Sequence, residues 1–494
     1  MNFFNDIYLV LPECYLITTM LSLTWLSVLY TTANITIGRL LSVQIGILSL
    51  FTLVVLSFLY WNTGAITYTL FGNSLIVTEV AKTFLFLVIL GLGFIILLSF
   101  QYVKLNSLNV FEFYIILLLI LIGFILLLFS NDFLTMYMGV ELQSLGLYIL
   151  ATLKQNSIYA TEAGLKYFVL GAFASCILIL GISIIYSFTG LINFSEISLF
   201  LLNVESTDVF YKGIFLGMLF IFVSFIFKVG GAPFHVWLPD VYEGVSTLVT
   251  TLFALVPKIV IFNLMLKISS MLGQFFVIEF QYIFIFTSFL SILVGSIGAL
   301  YQTTIKRLLS YSAIGHTGFI LLVLSISTLQ GIASLVFYII VYYFITLNIF
   351  TIILQLQQRN GIGSIKYINN FNFIYKTNKM LGISLVIIFF SIAGIPPFSG
   401  FFSKLFVFLA AIQQQYFFIA FYTIFLSVIA SVYYLKVIRN IMISKVIKKY
   451  FLLYDVSSVG AFIVMYTLMF NIFFIIFIND IYYYCINLAL NLLN

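Results

Sequence analysis

Charged side chains are scarce in this sequence of 494 residues, where they make up 7% of the total, against about 25% in an average soluble domain. Hydrophobic residues make up 63%, and apolar runs of roughly 20 residues recur along the chain. A helix of that length crosses the hydrocarbon core of a bilayer, which is about 30 Å thick. The longest polar connection, around 357–379, is too short for a soluble domain. The composition therefore excludes a soluble protein and predicts an all-α polytopic membrane protein.

Cysteine and histidine are also sparse, which excludes most metal and redox centres. The three cysteines, Cys14, Cys176 and Cys485, lie far apart without the spacing of a disulfide framework, a zinc site or an iron–sulfur cluster. A haem needs paired axial ligands, but the two histidines, His235 and His316, are expected at different depths. We therefore expect no cofactor and no metal to be bound by this chain.

The basic residues are distributed unevenly among the connections between predicted spans. We predict about 14 spans, near 7–30, 40–60, 82–101, 111–130, 132–153, 160–188, 210–234, 245–267, 274–298, 304–327, 329–356, 380–414, 417–439 and 456–483. Of the 21 lysines and arginines, fourteen lie in or beside odd-numbered connections and three lie on the other side, namely Lys82, Lys212 and Lys267. This asymmetry follows the positive-inside rule and predicts that both termini face outward. The net charge of +6 thus reflects topology, and we expect no nucleic-acid partner.

Proline is rare, and its positions mark two places. Five of the six prolines lie in "GGAPFHVWLP" with the neighbouring "LVPK", and in "AGIPPFSGFFSK". Because proline removes a helical hydrogen bond, we expect the seventh and twelfth spans to be interrupted there. The residues expected to form the breaks are Gly230, Gly231, Pro233, Pro396 and Pro397. Broken spans five apart indicate repeats of about five helices around a transport path, whereas simple kinks are the alternative.

Five ionisable residues lie inside apolar runs, near the middle of the membrane if each residue adds about 1.5 Å of helix rise. They are Glu141, Lys228, Lys258, His316 and Lys404. A charge at that depth costs at least about 2.5–3.5 kcal/mol, so it normally faces a partner or water. Groups whose charged form is disfavoured by burial are suited to take up and release protons. Structural ion pairs are the alternative interpretation.

Lys166 is a sixth candidate, in "TEAGLKYF" with Glu162 one turn before it. It lies nearer the inner end of its span. Two interpretations stay open, namely that it sets the electrostatic environment of Glu141, or that it extends to the membrane surface.

Five segments together resemble a known family: "VELQSLGLYILATLKQNSIYATEAGLKYFVLGAF", "FKVGGAPFHVWLPDVYEG", "LVPKI", "KRLLSYSAIGHTGF" and "AGIPPFSGFFSK". In order and spacing they resemble the antiporter-like membrane subunits of respiratory complex I, and among these the chain 2 family of NADH:ubiquinone oxidoreductase. Lysine at position 404 favours chain 2 over chain 4, which has glutamate there. A long lateral C-terminal helix typical of chain 5 is not indicated.

The resemblance implies a fold of about fourteen transmembrane helices with two inverted five-helix repeats and discontinuous helices 7 and 12. It divides the single membrane domain 1–494 into helices 1–3 (1–105), repeat one with helices 4–8 (106–270), repeat two with helices 9–13 (271–440) and helix 14 (441–494). The resemblance also implies the proton-relay residues Glu141, Lys166, Lys228, Lys258, His316 and Lys404. We expect Glu141 and Lys228 to form a switchable ion pair.

The function implied by the resemblance is proton translocation by a subunit without a redox centre of its own. NADH, FMN, iron–sulfur clusters and ubiquinone would belong to the assembled complex, with chain 4, chain 4L and lipids such as cardiolipin as partners. The abundance of Phe and Tyr and the absence of a targeting pattern in "MNFFNDIYLV" favour the mitochondrial inner membrane over a bacterial one. Two other hypotheses stay open, a subunit of a related multisubunit cation/proton antiporter and a scaffold without transport.

Overall fold

The computed structural model describes residues 9–33, 38–63, 67–106, 111–154, 156–204, 208–356, 366–443 and 456–493, and nearly all of them are helical. The helices are α1 (Leu11–Ala33), α2 (Gly38–Asn62), α3 (Glu79–Asn106), α4 (Glu112–Phe129), α5 (Phe133–Ala151), α6 (Ile158–Thr189), α7 (Phe194–Leu201), α8 (Val209–Val229), α9 (Trp237–Gly244), α10 (Thr247–Met271), α11 (Val277–Leu300), α12 (Ile305–Leu324), α13 (Leu329–Gln355), α14 (Ile374–Thr377), α15 (Lys379–Ala393), α16 (Ser399–Gln413), α17 (Phe417–Met442) and α18 (Ser458–Leu493). Two 3₁₀ turns, Gly273–Phe275 and Ile368–Phe373, complete the helical elements of these ranges.

The membrane-spanning character predicted from composition is confirmed. Within the described ranges, 12 helices are long and apolar enough to cross a membrane. The short helices α15 and α16, of 15 residues each, share the predicted twelfth span, and α1 occupies the first. All fourteen predicted spans therefore fall on helices. Four basic residues that contributed to the predicted orientation lie outside the described residues, namely Arg359, Lys445, Lys448 and Lys449.

Both spans predicted to be interrupted are interrupted. Helix α8 ends at Val229, and α9 begins only at Trp237. Helix α15 ends at Ala393, and α16 begins at Ser399. The residue that follows each first half is a glycine with positive φ, 81° at Gly230 and 85° at Gly394, a conformation that side chains other than glycine rarely adopt. Pro257, in contrast, lies inside the continuous helix α10.

A short β-hairpin is an element that the sequence did not predict. Strands β1 (Tyr68–Leu70) and β2 (Leu75–Val77) pair in antiparallel register, with the φ-positive turn residues Phe71, Gly72 and Asn73 between them. The backbone carbonyl of Asn73 accepts hydrogen bonds of 3.0 Å from the side-chain amides of Asn131 and Asn193. These bonds tie the hairpin to the segments that precede α5 and α7.

The chain forms two compact units. Unit 1 contains Met1–Lys228 and Val256–Phe276, and unit 2 contains Val229–Leu255 and Val277–Asn494. The change of unit at Val229 coincides with the first helix break. The assignment of inverted repeats to 106–270 and 271–440 stays a prediction.

Each unit has a closely packed helical core. In unit 1, a side chain at Gly123 of α4 would collide with the backbone of Gln143 in α5, so these two helices approach at backbone distance. In unit 2, Gly295 of α11 lies in the same way against the backbone of Gly315 in α12. In the most apolar stretch of helix α13, 89% of the residues are buried, and the helix packs against α16 and α18. These cores fix the helices that carry the candidate site residues.

Candidate functional site

Lys228 is the first candidate residue of unit 1, in the last turn of α8 beside the break. Its Nζ atom donates a hydrogen bond of 3.3 Å to the Tyr148 hydroxyl and lies 5.8 Å from the centre of that ring. Glu141 is close enough to act electrostatically on Lys228. Within the described ranges, however, no ion pair with a nitrogen–oxygen distance of 4.0 Å or less joins Lys228 and Glu141. In this structure, therefore, a tyrosine hydroxyl contacts Lys228 where we expected the carboxylate.

A polar stripe on α5 connects Tyr148 with Glu141. Ser144 lies between them in sequence, and positions 141, 144 and 148 share one helix face. The Ser144 Oγ atom donates to the backbone carbonyl of Glu141 at 3.0 Å, and its side chain is close enough to Tyr148 to act on it electrostatically. Tyr137, one turn before Glu141, is close enough to interact electrostatically with the Glu141 side chain. The Oε1 atom of Glu141 is buried and has no hydrogen-bond partner among the described residues.

Helix α6 holds the Tyr148 ring in place. The ring contacts Tyr167 edge-on, with centroids 4.8 Å apart, and Phe168 at 5.6 Å. A side chain at Gly171 would collide with the Tyr148 hydroxyl. The absence of a side chain at Gly171 thus gives the hydroxyl the space it occupies beside Lys228.

The other two candidates of unit 1 differ in burial. Lys258 lies on α10 directly after Pro257 and is 5% exposed. Lys166, on α6, forms an ion pair of 2.8 Å with Glu162, and the side chains are 44% and 56% exposed. The position of Lys166 supports the interpretation that its side chain extends to the surface.

Lys404 is the buried lysine of unit 2, on α16 just after the second break. Its Nζ atom donates to the backbone carbonyls of Ile392 and Ala393, each at 2.9 Å, and lies 5.8 Å from the Phe319 ring centre. Both carbonyls belong to the last turn of α15. They have no N–H donor from a following helical turn because the helix ends before the turn that contains Pro396 and Pro397. The break therefore supplies the acceptors of the lysine.

Asn471 of α18 bridges the same break and was not predicted from the sequence. Its Oδ1 atom accepts hydrogen bonds from Ser391 at 3.3 Å and from Ser399 at 2.5 Å, which lie in α15 and α16. Its Nδ2 atom donates to the Thr467 carbonyl at 2.9 Å. Asn471 and both serines are fully buried. A single asparagine inside the apolar run "YTLMFNIFFIIF" was the available sequence signal.

His316 lies on α12 beside a small cavity of unit 2 whose lining is mostly apolar and includes several polar side chains. Its Nδ1 atom is 2.6 Å from the Tyr338 hydroxyl oxygen. The cavity has a volume of about 20 Å³, which is enough for about one water molecule. It is lined by His316, Ser312 and Tyr338 and, next to the break, by Ser391, Gly400 and Ser403. One cavity thus joins His316 with residues that flank the acceptors of Lys404.

Lys267 and Arg307 are two further charged residues whose roles the sequence did not indicate. We expected Lys267 in an outer connection, but it lies inside α10, is 7% exposed and donates to the Ser130 carbonyl at 2.5 Å. The error is one of span boundary. Arg307 pairs with Asp240 at 2.6 Å and Glu243 at 2.8 Å and so ties α12 to α9. Across the described part of the chain, three or more His, Cys, Asp or Glu residues are nowhere grouped as metal ligands would be.

Most of the chain is similar to known membrane proteins. Residues 130–430 match the family described as NADH:quinone oxidoreductase/Mrp antiporter, transmembrane. NADH-ubiquinone oxidoreductase chain 2 of Marchantia polymorpha is 38% identical over 83% of this chain and 83% of its own length. NADH-quinone oxidoreductase subunit N 1 of Rhizobium meliloti (strain 1021) is 37% identical over 70% of this chain and 71% of its own. A chain of respiratory complex I from Thermus thermophilus with bound aureothin shares the fold, with a TM-score of 0.73, 24% identity and coverage of 93% of this chain and 97% of that one.

Proposed function

Because the chain belongs to the NADH-ubiquinone oxidoreductase chain 2 and subunit N family of antiporter-like membrane subunits, we propose that it translocates protons within respiratory complex I. The observation that carries the proposal is the environment of its buried lysines. Lys228 and Lys404 contact a hydroxyl and two backbone carbonyls, and no carboxylate within 4.0 Å neutralises them in the described residues. Burial without a neighbouring carboxylate disfavours the charged form of a lysine, which suits Lys228 and Lys404 to release and take up protons.

We propose a proton path within each unit that uses these residues. In unit 1, Glu141, Lys228 and Lys258 take up and pass on the proton, with Lys166 at the edge. In unit 2, the water-sized cavity beside His316 leads toward the helix break, where Lys404 takes up or releases a proton beside the carbonyls of Ile392 and Ala393. Free energy for the cycle comes from electron transfer from NADH to ubiquinone in other subunits.

The cofactors and partners of the chain follow from the same proposal. NADH, FMN, iron–sulfur clusters and ubiquinone are bound by the assembled complex and not by this chain. Its neighbours are the chain 4 and chain 4L subunits and lipids that include cardiolipin. No nucleic acid takes part.

We place the chain in the mitochondrial inner membrane with both termini toward the intermembrane space. The excess of basic residues in odd-numbered connections and the composition rich in Phe and Tyr support this location. A bacterial inner membrane is the alternative, since subunit N of Rhizobium meliloti (strain 1021) is similar over most of its length.

A subunit of a multisubunit cation/proton antiporter is the second candidate, because the matched family also includes Mrp antiporters. Such a protein shares the buried lysines but not a redox arm. Mass spectrometry of the chain's native-gel band distinguishes the two. Flavin and iron–sulfur subunits in the band support complex I, and their absence from a band of intact complexes supports the antiporter.

The test of transport is Lys228→Met in the assembled complex, with Lys212→Met as the matched control. Lys212 lies on the same helix and is exposed. We expect Lys228→Met to abolish NADH-driven proton uptake into inverted vesicles, and Lys212→Met to leave it unchanged. Full proton uptake in Lys228→Met, with normal assembly, would indicate a scaffold and contradict the proposal.

A further inference from the structure

The Lys228 ammonium and the Glu141 carboxylate of unit 1 interact electrostatically but do not form an ion pair within 4.0 Å. The hydrogen-bond partner of Lys228 among the described residues is the hydroxyl of Tyr148, not a carboxylate. Tyr148 follows Glu141 by seven residues on α5, which corresponds to a rise of about 10 Å along the helix axis. In this conformation the Lys228 ammonium and the Glu141 carboxylate are more than 4.0 Å apart, so a proton passes between them through an intermediate group.

Hydroxyl groups occupy the interval between the two charges. Aromatic side chains on a helix point toward its N-terminus, so the Tyr148 hydroxyl lies over the preceding turn, where Ser144 is. The Ser144 side chain is close enough to the Tyr148 hydroxyl to act on it electrostatically, and its Oγ atom donates to the backbone carbonyl of Glu141 at 3.0 Å. Tyr148 and Ser144 thus lie in sequence between Lys228, which donates to the Tyr148 hydroxyl, and the residue that carries the carboxylate.

From this chain of contacts we infer that Tyr148 and Ser144 form a hydroxyl relay that carries protons between Lys228 and Glu141. The inference rests on the proposed function and adds two proton-carrying residues to it. Both residues are buried, at 7% and 2% exposure, so bulk water does not compete with them along this path.

One rotation closes the relay. In the present conformation the Ser144 hydroxyl is directed at the Glu141 backbone carbonyl, while Oε1 of Glu141 is buried without a hydrogen-bond partner. When the Ser144 hydroxyl turns from the carbonyl to the carboxylate, the path is continuous. An N–H bond of the Lys228 ammonium then breaks as an O–H bond forms on Tyr148, Tyr148 passes its own proton to Ser144, and Ser144 passes its proton to Glu141. The lysine and the carboxyl both end neutral, and each hydroxyl ends with one proton.

Neighbouring residues hold the Tyr148 ring in position for its contact with Lys228. Tyr167 and Phe168 pack on its ring, and the missing side chain at Gly171 leaves space for the hydroxyl. Fixing the ring keeps the hydroxyl in reach of Lys228, because the side chain has only two rotatable bonds to the ring.

The test uses Tyr148→Phe and Ser144→Ala in the intact complex, measured as NADH-driven proton uptake by inverted vesicles and normalised to assembled complex on native gels. Each substitution removes one hydroxyl and keeps the rest of the side chain. Because positioned proton carriers contribute about 10²–10⁴-fold to a transfer step, we expect each variant to reduce the rate about tenfold or more. Ser144→Thr, which keeps the hydroxyl, restores the rate.

Two variants serve as matched controls, and neither removes a group of the relay. Ser175→Ala removes a buried serine hydroxyl that donates within its own helix to Ala172 at 2.9 Å. Tyr343→Phe removes a buried tyrosine hydroxyl that has no hydrogen-bond partner in the described residues. Both should pump at the unmodified rate.

A solvent isotope measurement separates proton transfer from packing. If the hydroxyls carry the proton, removing one makes proton transfer rate-limiting, and the slowing in D₂O increases in Tyr148→Phe relative to Tyr343→Phe. Wild-type pumping in either relay variant, or an unchanged isotope effect, overturns the relay. If Lys228→Met is inactive in the same series, the proposed function stands without the relay, whereas full pumping by Lys228→Met overturns the proposed function itself.

Discussion

A β-carbon placed on Gly394 would lie 3.1 Å from the Nζ atom of Lys404. That separation is tighter than ordinary carbon–nitrogen contacts, and the φ of 85° at Gly394 also disfavours any side chain. Gly394, the first residue of the break, is therefore in close contact with Lys404, and a side chain at position 394 would displace the lysine.

We expect Gly394→Ala to displace the Lys404 ammonium from the carbonyls of Ile392 and Ala393 and to reduce proton pumping severalfold in assembled complex. The control is Gly93→Ala, because no atom outside the adjacent backbone of its own helix lies within 4 Å of a β-carbon at Gly93 and its backbone is helical. Vesicle proton uptake measures both. Equal activities of the two variants would show that the lysine tolerates displacement.

Lys404→Arg tests whether Lys404 must lose and gain a proton or only supply a positive charge. Lys404→Arg keeps a cation that can donate to the carbonyls at the end of α15, but a guanidinium does not lose its proton in proteins. We expect Lys404→Arg and Lys404→Met to assemble and both to fail in pumping, as measured by proton uptake at matched complex content. Pumping by the arginine variant would mean that Lys404 acts as a fixed charge.

Removal of the Asn471 bridge should destabilise the second break. In Asn471→Leu, the buried hydroxyls of Ser391 and Ser399 lose their shared acceptor. Their oxygens are 3.4 Å apart, so one hydroxyl can donate to the other, and the hydroxyl left without an acceptor costs about 1–3 kcal/mol. We expect a lower temperature of dissociation on native gels after heating.

The matched control for the Asn471 bridge removes the serines as well. Replacing both partners of a hydrogen bond by apolar groups is nearly neutral, so Ser391→Ala and Ser399→Ala combined with Asn471→Leu should recover part of the stability. A triple variant less stable than Asn471→Leu alone would show that the serine hydroxyls have other essential contacts.

Gly171 offers a steric test of the Tyr148 position. A methyl group there collides with the Tyr148 hydroxyl, so Gly171→Ala should move the ring away from Lys228 and slow pumping without removing any polar group. Proton uptake relative to Gly93→Ala measures the effect. Unchanged uptake would mean that the tyrosine adjusts without losing its contact.

The sequence predicted the parts of the fold that are set by local composition. Runs of apolar residues placed all fourteen spans on helices, and the glycine and proline clusters located both breaks. The hairpin at 68–77 was missed because strands of three residues are too short to show a two-residue period. Lys267 was misplaced because a shift of a few residues in the end of a span moves a charge from the surface to the interior.

The candidate site was predictable in its charged residues and not in their partners. A lysine inside an apolar run is visible in the sequence, and Lys228 and Lys404 were identified in that way. Tyr148 contacts Lys228, and Asn471 contacts Ser391. In each pair the two residues are 80 positions apart in the sequence. Such pairings depend on which helices pack together. For the same reason the sequence did not indicate the Tyr148 hydroxyl that contacts Lys228, and the switchable ion pair of Glu141 with Lys228 stays a prediction.

The division of the chain between the two units has a consequence for synthesis of the protein in pieces. The backbone leaves unit 1 at Lys228, returns at Val256 and leaves again at Phe276. A single cut between α10 and α11 would therefore leave the first fragment with 229–255, a segment that belongs to the second unit, and the second fragment without it. The first fragment would contain unit 1, whereas the second fragment would lack 229–255 and could not complete unit 2, so the second half should be stable only when it is produced together with the first.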